Sequence, residues 1–105
     1  GLITNNPNVS WQIAHAPQQI NGVFTVEVST GTSFSTLFTS ASTDYQVGVS
    51  AYNLGFTASG NVGTKLYYRV KNQKNYSNIC GDIVSSTAYS EIIPLTIQTN
   101  SINSY

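Results

Sequence analysis

The sequence predicts an all-β fold, a single antiparallel β-sandwich domain over residues 1–105, built from about seven strands. Three observations predict it. Apolar and polar side chains alternate in one stretch after another, which is the period of a strand with one buried face. The alternating runs are rich in β-branched and aromatic residues, and none shows helical spacing. Gly, Asn, Ser and Asp interrupt them at short intervals, leaving segments of strand length between turns. At 105 residues, 40% of them hydrophobic, the chain has material for one core.

In chain order, Val9, Trp11 and Ile13 share the first buried face. Asn21-Gly22 predicts a tight turn, because this dipeptide supplies positive φ angles, and Phe24, Val26 and Val28 form the strand after it. Beyond Gly31, Phe34 and Phe38 bracket Thr36 in a shorter run. Turn-forming residues cluster from Ser40 to Asp44, and Tyr45, Val47, Val49 and Ala51 then alternate with Gln46, Gly48 and Ser50. Residues 52–63 read as irregular, with a turn over 60–63. Leu66, Tyr68 and Val70 alternate with Lys65, Tyr67, Arg69 and Lys71 in the most regular run of all. Residues 72–90 form a connection long enough to be a functional excursion or to hide a strand around Ile79 to Ser85. Ile93, Leu95 and Ile97 close the series.

The segments Val9-Ser10-Trp11, Phe24-Thr25-Val26-Glu27-Val28, Tyr45-Gln46-Val47, Gly63 to Lys71 and Tyr89-Ser90-Glu91-Ile92-Ile93 follow one another in an order that resembles strands B, C, E, F and G of a fibronectin type III domain. That resemblance to an immunoglobulin-like module implies that Trp11 is the core tryptophan of the second strand and that Tyr68 and Val70 point inward from strand F. The chain departs from the family at Leu66, where many such domains carry the tyrosine of the corner motif. It also resembles the amino-terminal sandwich of starch-capturing surface lipoproteins, which implies glycan handling by a neighbouring domain.

Composition restricts function. Eight of 105 residues are charged and 43 are Ser, Thr, Asn or Gln, so the polar surface is built from neutral hydroxyls and amides. Formal net charge is zero, which removes long-range steering towards nucleic acid. No apolar run is long enough to span a membrane, and no signal-like segment opens the chain. Beginning at Gly1 without any Met, the sequence suits a processed secreted chain or an excised fragment, and a secreted or cell-surface location is the expectation.

Chemistry-bearing residues do not converge in sequence. His15 has no neighbouring nucleophile, acid or co-ligand. Glu27, Asp44, Asp82 and Glu91 lie in four separate segments, too dispersed for a glycosidase pair or a calcium loop. Cys80 is the only cysteine, so no intrachain disulfide forms and packing as a small apolar residue is expected. Neither an enzyme, a metal nor a cofactor is expected.

Binding is the better prospect. Lys65, Tyr67, Arg69 and Lys71 would share one outward strand face, a basic stripe with a ring inside it that suits stacking a sugar or contacting a base or phosphate. Tyr52 and Tyr76, with Tyr89 and Tyr105, fall in expected loops or tails, where amphipathic rings favour contacts. Two Asn-X-Ser sequons, at Asn8 and Asn75, agree with an exterior location. Both ends, residues 1–4 and 95–105, are uncharged and suited to pairing with a sheet edge. The expected function is a non-enzymatic structural or adhesive module of an extracellular assembly, a fibre, an appendage or an adhesin, whose partners are copies of itself or neighbouring surface domains. A carbohydrate-binding accessory module is the alternative.

Overall fold

Alternation produces strands here because every second side chain in the central runs is shut away from water. Phe24, Val26 and Val28 are each 0% exposed, and Val26 lies directly opposite Val70 across an antiparallel ladder. The computed structural model describes residues 2–13, 19–77 and 79–99. Among them nine strands follow in order: β1 (Ile3–Asn5), β2 (Asn8–Gln12), β3 (Gln19–Ser29), β4 (Leu37–Asp44), β5 (Ala51–Gly55), β6 (Ala58–Gly60), β7 (Lys65–Ser77), β8 (Ile83–Tyr89) and β9 (Ile93–Thr96). All pairings are antiparallel. A five-stranded sheet has the order β4-β3-β7-β8, with β9 also on β7, while β1 pairs with β6 and β2 with β5. The fold class is therefore all-β and antiparallel, as the alternation predicts, but its strands are divided among three sheets rather than drawn as about seven continuous ones.

Register joins some of these pieces. Ile3 lies opposite Gly60 and Gln12 opposite Ala51, so the β1-β6 and β2-β5 ladders keep one register. They form a single two-stranded ribbon, interrupted at Pro7. Proline has no N–H to contribute to a ladder, although its carbonyl still accepts the Phe56 N–H at 3.0 Å. β8 and β9 are likewise collinear along β7, which already uses its other edge for β3. Tyr89 opposes Lys71, and an unshifted ladder would set Ile92 against Tyr68, yet Ile93 stands there. One residue is thus inserted, a β-bulge. Ser90 fills the gap: its N–H donates to the Val70 carbonyl and its Oγ accepts the Val70 N–H, both at 2.8 Å. Before the bulge Val84, Ser86 and Ala88 face the same way as Val70; after it Ile93 and Leu95 do.

The ribbon lies on the inner face of the large sheet. Val9, Phe56 and Ala58 join Phe24, Val26, Val28, Leu66, Val70 and Ile97 in one buried cluster. Trp11 and Tyr52, opposite each other on β2 and β5, stack at 5.9 Å and both contact the Phe24 ring, at 5.4 and 4.6 Å.

Several boundaries correct the expectations. Asn21-Gly22 is no turn but part of β3, opposite Asn75 and Lys74. Glycine serves close approach there: a Cβ on Gly22 would lie 2.5 Å from the Gln73 carbonyl oxygen, nearer than packing allows. Ser40 to Asp44 belong to β4, and Tyr45 to Ser50 form the corner after it instead of a strand. Gly48 at φ 85° and a Val49 N–H to Gln46 carbonyl bond of 3.1 Å bend the chain, leaving Val47 75% exposed with no core to face. The strand E assignment to Tyr45-Gln46-Val47 falls with it. Residues 52–63 hold β5 and β6, and the 72–90 connection is mostly strand: β7 runs to Ser77 and β8 starts at Ile83.

Candidate functional site

The predicted basic stripe exists as a strand face, but its centre is already engaged. Lys65, Tyr67, Arg69 and Lys71 alternate on β7 opposite the core-facing Leu66 and Val70. Arg69 stands across from Glu27, and its Nε donates to Glu27 Oε1 at 2.9 Å, while Lys71 Nζ lies 3.5 Å from Oε2. The guanidinium carbon sits 4.3 Å from the Phe34 ring centroid and 4.1 Å from that of Tyr89. A cation held between two ring faces is attracted by both quadrupoles. Phe34 adopts φ 54° to place its ring there, a left-handed conformation costly for a bulky residue. Beneath these groups Glu27 is only 7% exposed, although it belongs to the outer face. Lys65 is exposed at the start of β7, and Tyr67 is half-buried between Ser29 and Pro94. This is a clamp that fixes the sheet's outer face.

Tyr52 and Tyr76 lie in strands, not in loops. The Tyr52 hydroxyl donates to the Val49 carbonyl at 2.8 Å and accepts the Gln46 N–H at 3.1 Å, so it closes the 46–52 corner while its ring packs on Trp11. Tyr76 is on β7 opposite Val84, nine positions beyond Tyr67, or about 30 Å at strand rise. The six predicted contact residues therefore do not converge. Tyr89 ends β8 over Arg69. Cys80 is exposed in the turn before β8 rather than packed as an apolar residue. His15 and Tyr105 lie outside the described residues. Among the described residues no three His, Cys, Asp or Glu side chains gather, and no helix is long and apolar enough to cross a membrane.

A different place brings unpaired polar groups together. A cavity of about 340 Å³ opens between the end of β2 and the inner face of β7 and β8, lined among others by Trp11, Ile13, Gln19, Asn72, Lys74 and Ala88. Three buried atoms on its lining residues have no hydrogen-bond partner among the described residues: Trp11 Nε1, Gln19 Oε1 and Asn72 Oδ1. Gln19 is 4% exposed. Each unpaired buried group costs about 1–3 kcal/mol, and native folds keep few of them. One donor and two acceptors thus converge on a single cavity. A signal for it exists in the sequence, since the inward parity of Leu66, Tyr68 and Val70 continues to Asn72 and Lys74, where polar groups replace apolar ones.

Beside this cavity one edge of the ribbon is paired with no strand among the described residues. In an antiparallel ladder hydrogen-bonded and non-bonded pairs alternate. The Ile13 N–H to Ser50 carbonyl bond, 2.9 Å, and the Phe56 N–H to Pro7 carbonyl bond mark 13 with 50 and 7 with 56 as bonded pairs. Val9 and Trp11 therefore bond to β5, and the main-chain groups of Asn8, Ser10 and Gln12 point the other way. Their side chains are exposed.

Comparison of the chain with protein-family models, with curated proteins and with solved structures found no match in any of the three.

Proposed function

We propose that the chain is a non-enzymatic structural or adhesive module, a subunit or domain of a secreted or cell-surface assembly that associates through its sheet edges with copies of itself or with neighbouring domains. One observation carries this reading. All four Lys and Arg residues lie on β7, an interior strand, whereas β2, β4, β8 and β9 carry one charged residue between them, Asp44. Proteins that must stay apart do the reverse and place lysine on their edges. Neutral hydroxyl and amide edges can be covered by a neighbour without stranding an ion, which would cost several kcal/mol.

The strand order β4-β3-β7-β8 facing the β2-β5 ribbon supports the finer reading of a fibronectin type III-like sandwich. In it β2, β3, β5, β7 and β8 take the roles of strands B, C, E, F and G, and Tyr52 supplies a corner hydrogen bond that Leu66 cannot. Purified chain is expected to form higher-order species by light scattering and electron microscopy. Ser10→Lys, Ser42→Lys and Thr87→Lys together, one on each of β2, β4 and β8, should disperse them. A native chain that stays monomeric at high concentration refutes the proposal.

A second reading, a carbohydrate-binding accessory module of a surface glycan-capture protein or secreted enzyme, is favoured by the cavity. Sugar hydroxyls both donate and accept, and so would satisfy Trp11 Nε1, Gln19 Oε1 and Asn72 Oδ1 together. Asn72→Leu removes one orphaned acceptor, so it should hold or raise the melting temperature while abolishing glycan-array signal. An array silent for the native chain ends this reading.

A further inference from the structure

The geometry points to a second copy of this chain as the occupant of the β2 edge, paired antiparallel about a two-fold axis through Ser10. This rests on the assembly reading above and names the edge, the partner and the register. Asn8, Ser10 and Gln12 present their main-chain N–H and carbonyl groups outward at two-residue spacing, and among the described residues no strand or loop bonds to them. Only another extended backbone matches such a row of alternating donors and acceptors.

The row is its own complement. Centred on Ser10, an antiparallel partner sets Asn8 against the partner's Gln12, Ser10 against the partner's Ser10 and Gln12 against the partner's Asn8. Each of these is a bonded position, and together they make about six main-chain hydrogen bonds. Any other centre leaves outward groups unmatched. The side chains agree with the same register. On the exposed face amide meets amide and hydroxyl meets hydroxyl; on the inner face Val9 falls beside the partner's Trp11, an apolar and aromatic pair of the kind that stabilises sheets. A surface that recognises itself in this way gives a closed isologous dimer, with the strand order β5-β2-β2-β5 across the interface.

The neighbourhood limits the contact to β2. Towards β1, the Asn5 side chain is engaged by the segment after β9: its Nδ2 donates to the Gln98 carbonyl at 2.9 Å and its Oδ1 accepts the Gln98 N–H at 3.0 Å. Pro7 then interrupts the ladder. No residue of β1, β2, β5 or β6 is charged, so nothing on the ribbon repels an identical copy.

Sedimentation of the chain over a wide concentration range tests this, with register-specific charge variants. Asn8→Lys combined with Gln12→Lys sets lysine against lysine at both ends of the interface and should weaken association about tenfold or more. Asn8→Lys combined with Gln12→Glu sets lysine against the partner's glutamate and should restore it. Both substituted positions are exposed in the monomer, and unchanged melting curves would confirm that both variants fold. Recovery only in the Lys and Glu combination supports the pairing. Association that ignores both variants overturns this interface but leaves the assembly reading standing, through β4 or β8; absence of association in the native chain overturns both.

Discussion

Phe24→Ala is expected to lower stability by about 3–5 kcal/mol, the range for truncating a buried aromatic ring. The ring is wholly buried and is the point at which the layers meet: Trp11 and Tyr52 reach it from the ribbon, and Tyr45 from the corner at 6.4 Å. Collapse around the lost ring would have to move β2 and β5 together, so the cavity would remain largely open. A small domain has about 5–15 kcal/mol in total, and the substitution therefore removes a large share of it. The measurement is the denaturant midpoint, which should fall at an unchanged slope. A loss below about 1 kcal/mol would mean that the ring does not hold the ribbon to the sheet.

Glu27→Leu is expected to cost about 2 kcal/mol, in the range for losing hydrogen bonds to charged groups. Among the described residues its carboxylate is the ion-pair partner of both Arg69 and Lys71, and it lies beneath them almost out of water. Removing it leaves a guanidinium between two rings with no counter-ion. Both cations retain some contact with solvent, which keeps the loss below the full cost of breaking a wholly buried pair. Arg69→Met should be harmful alone yet partly compensate Glu27→Leu, because the methionine stem still fills the slot between Phe34 and Tyr89. A double-mutant cycle reads this coupling directly. Strict additivity would show that the clamp is ring packing and that the ion pair contributes nothing.

Strands with a strong apolar period were legible in the chain. Phe24, Val26 and Val28, or Leu66 and Val70, have one consistent reading because burial and alternation agree there. Asn21-Gly22 was misleading for a physical reason: glycine permits a positive φ and also permits close backbone approach, and local sequence does not separate the two uses. At Tyr45 to Ala51 the alternation is real, but Val47 and Val49 face water, since a corner and not a ladder sets their direction. The insertion at Ser90 could not be read locally, because a bulge is defined by the opposing strand. The stripe on β7 was legible as a face. The pairing of Arg69 and Lys71 with Glu27 was not, because Glu27 lies 42 positions from Arg69. The cavity combines Trp11, Gln19 and Asn72 from three strands, and only the polar break in the β7 parity announced it.

The confinement of every cation to β7 has an environmental consequence. Apart from Asp44 at the end of β4, polar contacts made by the remaining edges would consist of peptide groups, hydroxyls and amides, none of which titrates over the ordinary pH range or draws a counter-ion cloud. An association built from them would hold equally in dilute and concentrated salt and across mildly acidic or alkaline media. Arg69, Lys71 and Glu27 brace a single molecule, and the proposed association would fall almost wholly to uncharged groups.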